Sequence, residues 1–123
     1  MIALLAACGG DDGGMQTPDA KMVDAAAANK VVEVTCPATP DATVITTDAS
    51  NSYMPMTTTI PLNGVVKFTT SLAHNVVPNP LAAQTDQGLN VGFNQTKCLK
   101  FTATGTFGFK CAPHGFVGTT TVN

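Results

Sequence analysis

The chain has 123 residues, enough for one domain with a single core and too few for a second. Its basic residues are six lysines and no arginine, and the formal net charge is -2, which excludes a basic footprint for nucleic acid and a polybasic patch for an anionic membrane. Thr, Val, Ala and Gly dominate the second half, Trp is absent and prolines are scattered, a composition that suits short strands and turns better than a helical bundle.

At the start, apolar Met1 to Ala7 runs into Leu5-Ala6-Ala7-Cys8 and then Gly9-Gly10-Asp11-Asp12-Gly13-Gly14. Residues 1–8 resemble a bacterial lipoprotein signal with its lipobox, which implies acylation of Cys8 and attachment to a membrane. A basic n-region and a full h-region are missing, so the segment reads as a truncated signal whose true start lies upstream. Residues 9–30 are Gly, Asp, Ala and polar residues with too little apolar material to fold, and read as a disordered tether. The alanine run near its end has helical propensity but no amphipathic stripe.

The texture changes at Val31, and residues 31–123 read as the globular domain. Val31 to Cys36 is β-branched and stops at Pro37, and Ala42 to Thr47 is a second strand. A turn-rich stretch follows, then Tyr53-Met54-Pro55-Met56, whose methionines read as core filling. Thr57 to Pro61 alternates loosely and suits an edge. Asn63-Gly64 predicts a hairpin joining it to Val65–Thr70. His74-Asn75-Val76-Val77 is a short strand ending at Pro78, and Leu81 to Asn94 has no sustained period and reads as a long surface excursion. Lys97–Thr102, Thr106–Lys110 and Val117–Val122 complete about seven or eight strands. That pattern predicts an all-β sandwich.

Chemistry concentrates in few residues. With Cys8 assigned to lipid and Cys111 to a metal, Cys36 and Cys98 remain, a pair that an oxidising compartment would join as a disulfide. The chain has only two histidines, His74 and His114, and Cys111-Ala112-Pro113-His114 can present a thiol and an imidazole to one ion from one loop. One thiolate and two imidazoles are the equatorial set of a blue-copper centre, so His74, Cys111 and His114 are the expected metal ligands. A Cys-His-His set with a water also suits zinc. Asn75, beside His74, is placed to tie the two ligand loops together, and Pro113 removes an amide and stiffens the second.

The succession Asn63-Gly64-Val65-Val66-Lys67-Phe68, His74-Asn75-Val76, Gly105-Thr106-Phe107-Gly108-Phe109-Lys110-Cys111-Ala112-Pro113-His114 and Val117-Gly118-Thr119-Thr120-Thr121-Val122-Asn123 resembles the cupredoxins, small blue-copper proteins such as plastocyanin, amicyanin and pseudoazurin. The resemblance implies a Greek-key β-sandwich, copper on His74, Cys111 and His114, and one-electron transfer. It also exposes a departure, because the family's axial Met has no counterpart after His114. Phe116 or Thr119 falls at that position according to the alignment chosen, with the Ala73 carbonyl as a further neighbour, so the expected site is three-coordinate.

Two histidines engaged by a metal leave no nucleophile, base and orienter, and copper oxidases and nitrite reductases need further His-bound coppers, so an enzyme is not expected. The expected function is electron transfer by a monomer held by lipid on Cys8 at a bacterial membrane, in the periplasm or at the cell surface. Redox partner proteins would dock transiently near His114. The alternatives are a module for copper buffering, delivery or sensing, and a cupredoxin-like domain that has lost copper.

Overall fold

The structure, a computed structural model, describes residues 28–123. The lipobox reading, the expected acylation of Cys8 and the tether reading up to residue 27 fall outside the described residues. Within them nine strands follow in order: β1 (Val31–Val34), β2 (Ala42–Thr47), β3 (Ser52–Met54), β4 (Thr57–Ile60), β5 (Val65–Thr69), β6 (Val77–Pro78), β7 (Thr96–Phe101), β8 (Gly105–Lys110) and β9 (Val117–Val122). No helix occurs among the described residues.

The strands form a five-stranded sheet, β1-β7-β5-β2-β3, and a four-stranded sheet, β4-β9-β8-β6. Each contains one parallel pair, β2 with β5 and β4 with β9, so chain neighbours are repeatedly sent to opposite sheets. Alternation drives the packing: Val66 and Phe68 of β5 point inward while Lys67 between them does not. Val44, Leu99, Phe101, Phe107, Phe109 and Val122 meet them in the space between the sheets. On β8 even Gly108 is buried, because Asn79 donates its amide to the Gly108 carbonyl and Gln84 accepts the Gly108 amide through its own carbonyl. Cys36 and Cys98 are joined by a disulfide with Cα atoms 5.1 Å apart, fastening the chain just after β1 to the middle of β7.

Five sequence expectations are corrected. There are nine strands among the described residues and not seven or eight, the addition being Ser52–Met54, whose Ser52 sits in a turn-rich stretch that masked the strand. Asn63-Gly64 makes a turn, with Asn63 at φ 66° and the Gly64 amide donating to the Pro61 carbonyl at 2.9 Å, but no hairpin. It carries the chain between sheets, because β4 pairs with β9 and β5 pairs with β2 and β7; local turn chemistry sets dihedrals and not strand partners. His74 and Asn75 precede β6 and lie outside it, and only Val76 bridges, to Val91. The long excursion is not merely surface, since its Leu89 and Val91 are fully buried. Met54 and Met56, read as core filling, are exposed on either side of Pro55.

Candidate metal centre

The two ligand loops meet at one end of the sandwich. β8 and β9 part at the register pair Lys110↔Val117, and the residues between them fold back on themselves. The Cys111 amide donates to the Phe116 carbonyl at 2.9 Å and the Gly115 amide to the Cys111 carbonyl at 2.8 Å. Gly115 takes φ +78°, a left-handed conformation that closes this turn without a side-chain penalty. The closure brings Cys111 Sγ to 3.8 Å from His114 Nδ1.

His74 comes from the connection between β5 and β6 and is 1 % exposed. Its Nδ1 lies 3.5 Å from Cys111 Sγ. The residue after it fixes this placement: Asn75 Oδ1 accepts the Ala112 amide at 2.9 Å, and the Asn75 carbonyl accepts the Tyr53 hydroxyl at 2.7 Å. Val76 then exchanges two backbone bonds with Val91, of 2.8 and 2.9 Å. The loops are thus joined by the side chain of Asn75 and anchored below by the buried part of the long connection.

Ligand atoms of His74, Cys111 and His114 all lie within 4.8 Å of one another. Cys111 and His74 are buried and His114 is exposed, so the group has a dry interior and one imidazole edge at the surface. A soft sulfur and two borderline nitrogens converging in this way can hold a late transition metal.

Phe116 closes the group from the side. Its ring is edge-on to His74, with centroids 4.9 Å apart, and nearly parallel to His114 at 6.4 Å. Tyr53 packs edge-on against both Phe116, at 4.8 Å, and Phe109, at 4.9 Å. Gly118 permits this stack, since a Cβ there would come within 2.6 Å of the Phe109 ring and 3.0 Å of Tyr53. Burial, and secondarily the nearby Cys111, push the Tyr53 hydroxyl well above the usual phenol range, so it remains a neutral donor.

Thr119 belongs to β9, paired with Thr57 and Gly108, and its amide donates to the Met56 carbonyl at 2.9 Å. Ala73 is exposed in the His74 loop, its amide 3.4 Å from Ser71 Oγ. Pro113 is exposed at the tip of the Cys111 loop. Two neighbours were not legible in the sequence: Tyr53, from a strand hidden by turn residues, and Asp48, whose Oδ1 lies 3.1 Å from His74 Nε2.

No protein-family model and no curated protein matches the sequence. Solved structures do resemble the fold. Amicyanin from Paracoccus versutus is 18 % identical with a TM-score of 0.58, over 78 % of this chain and 100 % of that one. An amicyanin mutant in its Cu(I) form is 20 % identical with a TM-score of 0.57, over 76 % and 99 %. Plastocyanin from Dryopteris crassirhizoma, in oxidised form, is 22 % identical with a TM-score of 0.55, over 66 % and 99 %. The nine strands, their two mixed sheets and the His-Cys-His group at one end make this chain a cupredoxin-like β-sandwich.

Proposed function

We propose that this protein is a one-electron carrier with a copper centre held by His74 Nδ1, Cys111 Sγ and His114 Nδ1, and with the apolar ring of Phe116 where the family places an axial thioether. The observation that carries the reading is the convergence of one buried thiol and two imidazole Nδ1 atoms, 3.5 and 3.8 Å from the sulfur. A copper ion there would supply the two oxidation states; the protein supplies a rigid, largely dry frame that limits reorganisation between them. Asn75 holds the loops at their spacing, Tyr53 and Phe116 exclude water, and the exposed His114 offers the short route for an electron.

Redox partner proteins dock transiently on the rim around His114, formed by Pro113, Gly115, Phe116 and Pro78. The exposed Val117 extends this apolar rim. The protein acts as a monomer and a carrier, not as an enzyme. The Cys36–Cys98 disulfide supports an oxidising compartment, and the Leu5-Ala6-Ala7-Cys8 sequence supports lipid attachment at the periplasmic or outer face of a bacterial membrane.

The test is elemental analysis with visible and EPR spectra of the full chain after copper loading and oxidation. An intense visible band with one copper per chain is expected, together with fast, reversible reduction without metal loss. Ready surrender of copper to a chelator or acceptor protein would favour buffering or delivery instead. Failure to bind copper, or a preference for zinc, would reject the proposal.

A further inference from the structure

We propose that Asp48 is a positioning residue for this centre: its carboxylate holds the far nitrogen of the His74 ring, and so sets where Nδ1 points and what charge the ligand set feels. The inference rests on the copper reading given above. It starts from His74 Nε2, which among the described residues is the only buried side-chain nitrogen or oxygen without an aligned hydrogen-bond partner. Leaving a buried N–H unpaired is costly, so the ring nitrogen calls for an acceptor. The acceptor beside it is Asp48 Oδ1, at 3.1 Å, within hydrogen-bond distance but off the line of the ring N–H.

The tautomer follows from the other side of the ring. Nδ1 faces Cys111 Sγ and is the nitrogen that a metal would take, so the proton belongs on Nε2, pointing to Asp48. Nor is the carboxylate there by chance of a mobile surface chain. Ser71 Oγ donates to the same Asp48 Oδ1 at 2.7 Å, and the Ser71 amide donates to Thr46 Oγ1 at 3.0 Å. The Ser71 carbonyl in turn accepts the His74 amide at 3.4 Å. Asp48, Ser71 and His74 therefore close a ring of contacts in which the carboxylate is fastened to the turn that carries the imidazole.

Losing such an outer partner of a ligating histidine typically lowers metal affinity ten- to a hundredfold. The Asp48 side chain is 66 % exposed, so water shares its charge and the effect should lie near the lower end, about tenfold. The negative charge also favours the more oxidised metal.

The experiment compares the full chain with Asp48→Asn, which removes the charge but keeps an acceptor oxygen, and Asp48→Ala, which removes both. In copper-loaded protein both variants should show a higher midpoint potential, and Asp48→Ala should lose Cu(II) to a competing chelator at about tenfold lower chelator concentration. Metal-free melting should fall in Asp48→Ala, which leaves the buried Nε2 without its acceptor, and fall less in Asp48→Asn, which keeps one. In the metal-free wild type, nitrogen NMR should find the His74 proton on Nε2 and protected from exchange, with protection lost in Asp48→Ala. A blue wild type whose potential is unmoved in both variants overturns the inference, as does a ring protonated on Nδ1. A wild type that binds no copper overturns the preceding section instead, and the NMR result still decides the role of Asp48.

Discussion

Phe116 stands edge-on to His74, ring planes at 79° and centroids 4.9 Å apart, at what the proposed copper site takes as its axial side. An aromatic ring there gives no lone pair to a metal and leaves an oxidised, more positive ion less stabilised. Phe116→Met should therefore lower the midpoint potential of the copper-loaded protein, measured by voltammetry; an equal or higher potential would count against an apolar axial position. Phe116→Ala should cost about 2 kcal/mol in metal-free urea unfolding, less than a fully buried Phe because the ring is only half-buried.

The disulfide closes a loop with a sequence separation of 62, for which chain entropy predicts about 4 kcal/mol of stabilisation. A double Cys36→Ser, Cys98→Ser variant should lose about that much in urea unfolding, with the m-value altered by the freer unfolded chain. Ser at the buried Cys98 adds to the loss, so reduction of the wild type is the cleaner comparison.

Asn75→Ala removes the acceptor of the Ala112 amide and cuts the only side-chain hydrogen bond between the ligand loops among the described residues, other than those made by the ligands themselves. Ala112 is exposed and water replaces part of the bond, so the stability loss should be about 1 kcal/mol. Copper should exchange faster, as read by chelator kinetics. Asn75→Asp keeps an oxygen in the same place and should recover most of the loop's rigidity.

Tyr53 is the only tyrosine in the chain and is 2 % exposed, so its ionisation can be followed alone in the ultraviolet. Burial, with a smaller contribution from Cys111, raises its folded pKa above the unfolded value of about 10. The stability this represents is complete below that pH; above it the unfolded chain has lost a proton that the native chain keeps. Stability should then fall by about 1.4 kcal/mol per pH unit, and tyrosinate absorption should appear only with unfolding. Tyrosinate rising in still-folded protein would refute the buried hydroxyl.

The strands that read well in the sequence are those whose burial follows chemical alternation, such as Val65–Thr69, or a sustained β-branched run, such as Val117–Val122. The convergence of His74, Cys111 and His114 was legible because they are rare types at a telling spacing. What sequence could not supply was partnership through space. Asn63-Gly64 dictates a turn but does not say that β4 and β5 go to different sheets. Leu89 and Val91 sit among polar and Gly residues whose pattern hides their burial, and Asp48 lies in a turn far from His74 in the chain.

The residues between Lys110 and Val117 tie their ends to each other and lie beyond the last register pair of β8 and β9. The two ends, Cys111 and Phe116, belong to or pack on the core, whereas Ala112, Pro113 and His114 between them are exposed. Changes at the exposed tip would alter the proposed metal chemistry while the strands keep their register, but changes at Cys111 or Phe116 would also disturb the packing beneath. In this chain the exposed tip of one loop is free to evolve faster than the buried residues at its two ends.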